Sequence, residues 1–320
     1  MSQLINYPHI ASMVFGQPLF ATHQLVQSVK AVLEPRLLGQ FTANAESVSV
    51  VVNDLKLANQ VEARSNDLMA INGVMVAGKL AIISVHGILV PRAGTIDASC
   101  NELISYEKLR NQISMAVEHE LVEHIVLDFH SGGGAAMGCD ECAEFIRAMS
   151  QIKPITAIIN YAAYSAAFYL AAACSEIIAS PTSGVGSIGV IIETAEISKY
   201  EEKMGVTYNT FYRGAHKNDF SPHEEITDQA VAEINKRLDS AYAMFTNSVA
   251  KHRDISVDDV IATEARLLDP KEALSLKLID KIMPAQDAVN QLAQQYQIHS
   301  KPKSRSIQAQ AKMLDMNCKL

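Results

Sequence analysis

Short unbroken runs of apolar residues alternate along the chain with longer segments in which apolar residues recur every three or four positions. The runs predicted to be buried strands are 79–86, 124–129 and 154–160. The segments predicted to be helices are 23–38, 106–118, 139–149, 165–174 and 224–251. Strands that alternate with helices in this way form a mostly parallel sheet with right-handed crossovers. The pattern therefore predicts the α/β class.

The remaining pattern divides the chain into three parts. We predict a leader at 1–78, a main domain at 79–298 and a flexible polar tail at 299–320, where the segment KPKSR is basic. Within the main domain, further short strands are predicted at 177–179, 188–192 and 206–212, and a helix, a second helix and a short strand at 255–282.

Composition excludes several classes of protein. Hydrophobic residues make up 48% of the 320 residues and charged residues 19%, so the chain can bury a core. The net charge is −8 and no stripe of Lys and Arg is present, which disfavours a nucleic-acid partner because phosphate contacts need clustered cations. The longest apolar run, 161–174, is shorter than the roughly 20 residues of a membrane span. We expect a cytoplasmic protein without a membrane span.

Five cysteines without a regular framework are typical of a reducing compartment. Cys139 and Cys142 form a C-D-E-C unit, which is either half of a zinc site, a redox pair, or two small residues on a helix. No second pair of ligands with matching spacing accompanies them, so we favour the helix and expect no metal.

The first candidate for chemistry is the segment DFHSGGG at 128–134, directly after a predicted strand. Three consecutive glycines let the backbone approach a ligand closely, and their N–H groups can stabilise an oxyanion. The alternative is a tight turn at 131–134 that needs glycine only for its backbone angles. No G-K-[ST] follows, which excludes a phosphate-binding loop.

The second candidate is Ser165, which lies between small residues where a predicted strand meets a predicted helix. Its hydroxyl would lie near the helix N-terminus, where backbone N–H groups such as that of Ala166 have no helical partner. Ser165 is either a nucleophile or an ordinary helix cap. The glycines of the G-x-S-x-G elbow are missing around it.

A serine nucleophile needs a base, and the residues alone do not choose one. His86, His130 and His216 lie near the candidate segments, but no spacing links them to Ser165. A lysine base must lose water contact before it can be neutral near physiological pH. On local sequence, Lys217 is a loop cation with no distinguishing feature.

The order of the motifs resembles the signal peptide peptidase A family of serine–lysine proteases. The resemblance covers about 79–282 and rests on the segments VHGILV, DFHSGGG, KPITA, YSAAFYLAAAC, GVGSIGV and GAHKNDFSP. The N-terminal segment NYPHIASMVFGQPL is similar to the opening of those members that act as head-maturation proteases of lambda-type phages. The fold implied is that of the Clp proteases and crotonases, built from stacked βαβ units.

The resemblance implies a role for five residues. Ser165 falls on the nucleophile, Lys217 on the general base and Ser187 on the hydroxyl that orients the lysine. Gly133 and the N–H of Ala166 fall on the oxyanion hole. The chain departs from the family pattern D-S-P-G-G, because Gly132 stands in place of the proline and loosens the turn. No cofactor is implied.

The function implied is a serine endopeptidase that cleaves phage scaffold, portal or capsid proteins during head maturation, in the bacterial cytoplasm or inside the procapsid. We also expect a homo-oligomer, because serine and lysine come from different halves in double-length members of the family. Three alternatives stay open: a host peptidase of the same family, an acyl-CoA enzyme on the same fold, and an inactive capsid component. An acyl-CoA enzyme would not need Ser165 together with Lys217.

Overall fold

A computed structural model describes residues 16–37, 68–71, 74–92 and 103–296. The helices are α1 (His23–Leu37), α2 (Tyr106–Glu118), α3 (Cys139–Ser150), α4 (Ala166–Ala172), α5 (Ser198–Lys203), α6 (Asp228–Arg253), α7 (Val257–Ile261), α8 (Pro270–Ser275) and α9 (Ala285–Tyr296). The strands are β1 (Leu19–Ala21), β2 (Leu68–Ile71), β3 (Val74–Ala77), β4 (Leu80–His86), β5 (Leu89–Val90), β6 (Ile104–Ser105), β7 (His124–Ser131), β8 (Gly133–Ala135), β9 (Ile155–Tyr164), β10 (Glu176–Ala179), β11 (Gly184–Gly186), β12 (Leu267–Leu268) and β13 (Lys281–Ile282).

A nine-stranded sheet forms the centre of the described structure, and its main path runs β12-β11-β9-β7-β4-β3-β2. The strands β4, β7, β9 and β11 are parallel to one another, as are β10 to β9 and β13 to β10, whereas β3 and β12 pair antiparallel with β4 and β11. The helices α2, α3 and α4 each connect two of these parallel strands. The predicted α/β class with a mostly parallel sheet is therefore confirmed.

The two faces of the sheet are covered by different helices. Side chains of α2, α3 and α4 pack on one face in the larger core cluster, and α9 packs on the other face against Leu80, Val126 and Ile158. Every residue of α4 is buried, and alanines dominate its sequence. Short side chains let this helix lie close to its neighbours. The alanine run is therefore explained by close packing as well as by helix propensity.

A second, four-stranded sheet of order β1-β8-β5-β6 lies beside the carboxyl end of the main sheet. Its strand β8 begins two residues after β7 ends, so it continues the same chain direction past a bend at Gly132. The predicted tight turn at 131–134 is therefore wrong. Ser131 still pairs within β7, and the following glycines form a new strand whose main-chain groups pair with β1.

Two predicted strands are absent from the described structure. The segment 188–192 is irregular, and Ile191 makes only an isolated bridge to Leu19, because β11 ends earlier at Gly186. The segment 206–212 has no regular structure and every residue in it is exposed. An alternating apolar pattern predicts a strand only where another strand is available for pairing.

The described part of the predicted leader is joined to the main domain. The strand β3 pairs with β4, and β1 pairs with β8. The division at 78 and 298 stays a prediction, and the tail at 299–320 lies outside the described residues.

Neither cysteine of the C-D-E-C unit belongs to a metal site among the described residues. Cys139 and Cys142 are buried free thiols on α3, as the helix interpretation predicts. The described residues contain no group of three or more His, Cys, Asp or Glu side chains that could hold a metal ion. None of the helices in the described ranges is both long and apolar enough to cross a membrane.

His124, at the start of β7, should make the stability of the fold depend on pH. Burial lowers the pKa of its imidazole from 6.5 to about 4, and Nε2 lies 2.9 Å from Thr156 Oγ1. The unfolded chain therefore binds a proton that the folded chain excludes between about pH 6.5 and 4. Above that window, the neutral ring contributes fully to the stability of the fold. This contribution is lost as the pH falls through the window. The free energy of unfolding should fall between pH 7 and pH 4.5 in the unsubstituted chain. In His124→Gln, this fall should be smaller by about 2–3 kcal/mol than in the unsubstituted chain.

Urea denaturation at the two pH values measures this difference. His23→Gln, at an exposed position in the first turn of α1, is the control for the loss of an imidazole. An equal pH dependence in the His124 variant and the unsubstituted chain would contradict the assignment.

Candidate active site

Ser165 occupies a strained turn between the end of β9 and the start of α4. Its backbone angles are φ 53° and ψ −119°, a conformation that non-glycine residues rarely adopt. Two hydrogen bonds hold it there: the Ser165 N–H donates to the Gly186 carbonyl at 2.8 Å, and its carbonyl accepts from the Tyr169 N–H at 2.9 Å. The surrounding strand and helix therefore hold the turn in place.

The side chain of Ser165 does not act as a helix cap. It makes no capping hydrogen bond, the residue is 0% exposed, and Oγ has no hydrogen-bond partner among the described residues. The alternative interpretation as an ordinary N-cap is therefore wrong. A buried hydroxyl without a partner normally costs about 1–3 kcal/mol, which is expected where a group is kept available for a reaction. The N–H of Ala166, the first of α4, lies beside it.

Ser187 is brought next to Ser165 by the register of two parallel strands. Gly186 in β11 pairs with Tyr164 in β9, so the residues that follow each strand lie side by side at the carboxyl edge. Neighbouring strands are about 4.8 Å apart. Ser187 also has a positive φ, 53°, and its N–H donates to the Arg266 carbonyl at 2.9 Å. The structure thus juxtaposes two of the predicted site residues.

Gly133 lies on the other side of Ser165, beyond β7. Ser131 pairs with Ala163, so the glycines follow at the level of the β9 carboxyl end. The Gly133 N–H donates to Ser131 Oγ at 3.1 Å, and that hydroxyl donates to the Gly87 carbonyl at 2.6 Å. The predicted oxyanion donor is therefore engaged by a side chain in this structure. Sequence reasoning missed Ser131, although it stands inside the DFHSGGG motif.

Lys217 is not brought to Ser165 within one chain. It lies in an exposed turn, where its N–H donates to the Gly214 carbonyl at 3.1 Å. Because Ser165 Oγ has no partner among the described residues, the Lys217 ammonium is outside hydrogen-bonding distance. Lys217 ends an exposed segment, 202–217, that also presents Tyr208 and Phe211, the latter 91% exposed.

Of the three histidines near the candidate segments, His86 and His216 contact carboxylates and His130 contacts aromatic rings. His86 Nε2 lies 3.1 Å from the buried Asp128 Oδ2, and the His130 ring lies edge-on to the ring of His86. His216 Nδ1 lies 2.8 Å from Asp219 Oδ2, and this contact lowers the pKa of the Asp219 carboxyl.

An aromatic cluster that sequence reasoning missed lies one turn beyond Ser165. The ring of Tyr169 on α4 stacks on Phe245 of α6 with centroids 4.6 Å apart, and Phe20 of β1 contacts both rings at 5.6 and 4.8 Å. The Tyr169 hydroxyl donates to Asp140 at 2.6 Å, and burial raises the pKa of that hydroxyl. Three separate segments meet here, and no local pattern predicts such a contact.

Fold and site together define an α/β protein with a serine at a strained strand-to-helix turn, flanked by a glycine strand and a second serine. The model of Peptidase family S49 matches residues 147–299, a range that includes Ser165, Ser187 and Lys217. This region therefore corresponds to a domain of peptidase family S49. This confirms the resemblance to the signal peptide peptidase A family.

Several curated proteins are similar over most of the chain. Capsid assembly protease C of Escherichia phage lambda is 27% identical over 289 residues, which cover 90% of this chain and 66% of that protein. Head-tail preconnector protein GP5 of Enterobacteria phage P21 is 30% identical over 294 residues, covering 90% and 57%. A putative signal peptide peptidase SppA of Enterococcus faecium is 31% identical over 219 residues, covering 67% and 62%. The chain thus spans less than two thirds of each of these relatives.

One solved structure that matches is an enoyl-CoA hydratase from Shewanella pealeana. It has a TM-score of 0.41 and 13% sequence identity, and the match covers 76% of this chain and 78% of that one.

Gly133 should be intolerant of a side chain. A Cβ there would come within 2.2 Å of the Phe20 carbonyl oxygen, and φ is +106°. Gly133→Ala should therefore lower the free energy of unfolding by about 2–5 kcal/mol, from backbone strain and the displacement of β1. Thermal or urea unfolding measures the change.

The neighbouring glycine provides the matched control. A Cβ on Gly132 would meet only the Thr22 and Leu25 side chains, at 3.3 Å and beyond, so a shift of a few tenths of an ångström relieves the contact. Gly132→Ala should cost about 1 kcal/mol or less. Equal stabilities for the two variants would show that β1 does not lie against Gly133.

Proposed function

We propose that the protein is a serine endopeptidase in which Ser165 is the nucleophile. The observation that carries the proposal is the geometry of Ser165: a strained, buried turn with an unpartnered hydroxyl, at a helix N-terminus and beside Ser187. Strain and unsatisfied polar groups persist where the surrounding structure enforces them, and they cluster at active sites. The match of residues 147–299 to the model of peptidase family S49 supports the same assignment.

The proposed mechanism uses only side chains and backbone groups. Neutral Lys217 takes the Ser165 proton as Oγ attacks the carbonyl carbon of a peptide bond. The N–H groups of Gly133 and Ala166 stabilise the oxyanion, and Gly133 exchanges its bond to Ser131 Oγ for this stronger one. The lysine ammonium then protonates the leaving amine. In the second half of the reaction, the neutral lysine takes a proton from the water that attacks the acyl-enzyme and passes it to Ser165 Oγ as the carboxyl product leaves. Ser187 orients the lysine.

The lysine is proposed to come from a neighbouring copy of the chain. Within one chain, the exposed segment 202–217 holds Lys217 away from Ser165 and leaves Val206, Tyr208, Phe211 and Tyr212 in contact with solvent. An exposed apolar segment of this kind is typical of a surface that another protein covers. Packing against a second copy would bury these side chains and bring the ammonium into a dry site, which favours the neutral base. A closed homo-oligomer follows from repeating one such contact.

The proposed substrates are phage scaffold, portal or capsid proteins. Two relatives that match 90% of the chain are named as a capsid assembly protease and a head-tail preconnector protein of phages. The corresponding place of action is the bacterial cytoplasm or the interior of a procapsid.

Ser165→Ala should abolish cleavage, because it removes the nucleophile and only one oxygen atom. The rate at which co-expressed head proteins are cleaved should fall at least about a thousandfold. Mass spectrometry of the products measures this rate. A fluorophosphonate probe should label the unsubstituted chain at Ser165 and leave the variant unlabelled. Ser275→Ala, at an exposed position on helix α8, is the matched control and should keep full activity. Cleavage that persists unchanged in Ser165→Ala would show that another residue is the nucleophile.

Lys217→Ala should be as inactive as Ser165→Ala, whereas His216→Ala should keep most activity, because His216 contacts Asp219 in an exposed turn. Activity should also rise toward alkaline pH, since only an unprotonated lysine can accept the serine proton. The opposite pattern of variants would indicate serine–histidine chemistry.

The origin of the lysine is tested by complementation. Inactive Ser165→Ala and Lys217→Ala chains are unfolded, mixed and refolded together. Mixed oligomers should regain part of the activity, since some interfaces pair an intact serine with an intact lysine. Mixed oligomers that form but stay inactive would place each dyad within one chain.

A further inference from the structure

A cleft with two hydrogen-bonding walls crosses the carboxyl end of the main sheet. In the order β11-β9-β7, the middle strand ends at Tyr164, directly before Ser165. The chain that continues from β7 forms one wall, Gly133–Ala135, and the chain that continues from β11 forms the other, at 188–193. Each wall presents main-chain N–H and carbonyl groups. An extended peptide can therefore bind between them by adding a strand above Ser165.

The chain's own residues 16–22 fill this cleft. β1 pairs antiparallel with β8, and on its other side Leu19 exchanges two hydrogen bonds with Ile191, at 2.9 and 3.0 Å. The contacts continue at both ends, because the Gly16 N–H donates to the Glu193 carbonyl at 2.9 Å and the Thr22 N–H donates to the Gly132 carbonyl at 3.0 Å. This one short segment therefore makes backbone hydrogen bonds to both walls and spans the gap above Ser165.

The side chain of Phe20 anchors this segment. It is 1% exposed and contacts the rings of Tyr169 and Phe245. Tyr169 is tied to the nucleophile turn, since its N–H donates to the Ser165 carbonyl. The aromatic site is therefore placed to accept one large apolar side chain of a strand that lies over Ser165. Nothing of Ser165 is exposed while residues 16–22 are in place.

We propose that residues 16–22 are an internal strap that occupies the substrate cleft and must leave it before a protein substrate binds. This inference rests on the proposed function of Ser165. The substrate class that fits is an extended segment with a large apolar residue at the position now taken by Phe20. The strap keeps substrates from Ser165 until the strap is displaced. Helix α1 follows the strap directly and returns the strap to the cleft.

A reversible cross-link tests the strap in the full chain. Leu19 and Ala135 are direct partners in the antiparallel ladder, a spacing that suits a disulfide. In Leu19→Cys with Ala135→Cys, oxidation should lower the cleavage rate at least tenfold, and reductant should restore it. The unsubstituted chain under the same oxidant is the control for its own cysteines. A locked chain that cleaves as fast as its reduced form would overturn the proposal.

Loosening the anchor should have the opposite effect. Phe20→Ala removes the ring from the aromatic site, so the cleavage rate at low substrate concentration should rise several-fold through a lower KM. Phe145→Ala, which truncates an aromatic residue on α3 outside the cleft, is the matched control and should not raise the rate. A Phe20→Ala chain that folds, by circular dichroism, but is no faster than the unsubstituted chain would contradict the strap.

A binding assay separates failure of the strap from failure of the proposed function. A fluorescent peptide with the sequence of residues 16–22 should bind the Phe20→Ala chain at least tenfold more tightly than the unsubstituted chain, and the oxidised cross-linked chain not at all. The same peptide carrying Phe20→Asp should bind none of them. Binding that follows this order without any proteolysis would refute the endopeptidase and keep the strap. Proteolysis together with equal binding by all chains would keep the endopeptidase and refute the strap.

Discussion

The parallel register of β7, β9 and β11 is the constraint on which the site depends. Each strand ends at the same edge, and their pairing determines which residues follow at equal height: the glycines after Ser131, Ser165 after Tyr164, and Ser187 after Gly186. The register also supplies the Gly186 carbonyl that holds the Ser165 N–H, so the strained turn exists only while β9 and β11 stay aligned. A slip by one residue would reverse the side-chain directions and separate the two serines.

Much of this arrangement could be predicted from the sequence because it is local. The apolar runs at 79–86 and 124–129 locate the strands β4 and β7, and the junction at Ser165 follows from a strand meeting an alanine-rich helix. The role of Ser187 came only from the family resemblance, since no local property distinguishes it. Its position beside Ser165 is a consequence of strand order, which a single sequence pattern does not contain.

The features that could not be predicted depend on contacts between distant segments. The apolar residues at 206–212 predict a strand, but no strand among the described residues pairs with this segment. The strand β1 has only three residues, and it forms because two distant segments pair with it on both sides. The three glycines predicted a turn, yet their lack of side chains instead lets the backbone of β1 and of Leu89 approach closely.

At Ser165 and Ser187, where φ is positive, the residue that best stabilises the backbone is not the residue that supplies a hydroxyl to the site. Glycine adopts such angles without the steric cost that a serine Cβ incurs. A selection that rewards only a longer-lived fold would therefore favour glycine at both positions, and each gain would remove a hydroxyl from the site. Variants of this chain isolated for thermal resistance are thus prone to lose activity at these two residues first, a stability–activity trade-off located in the backbone.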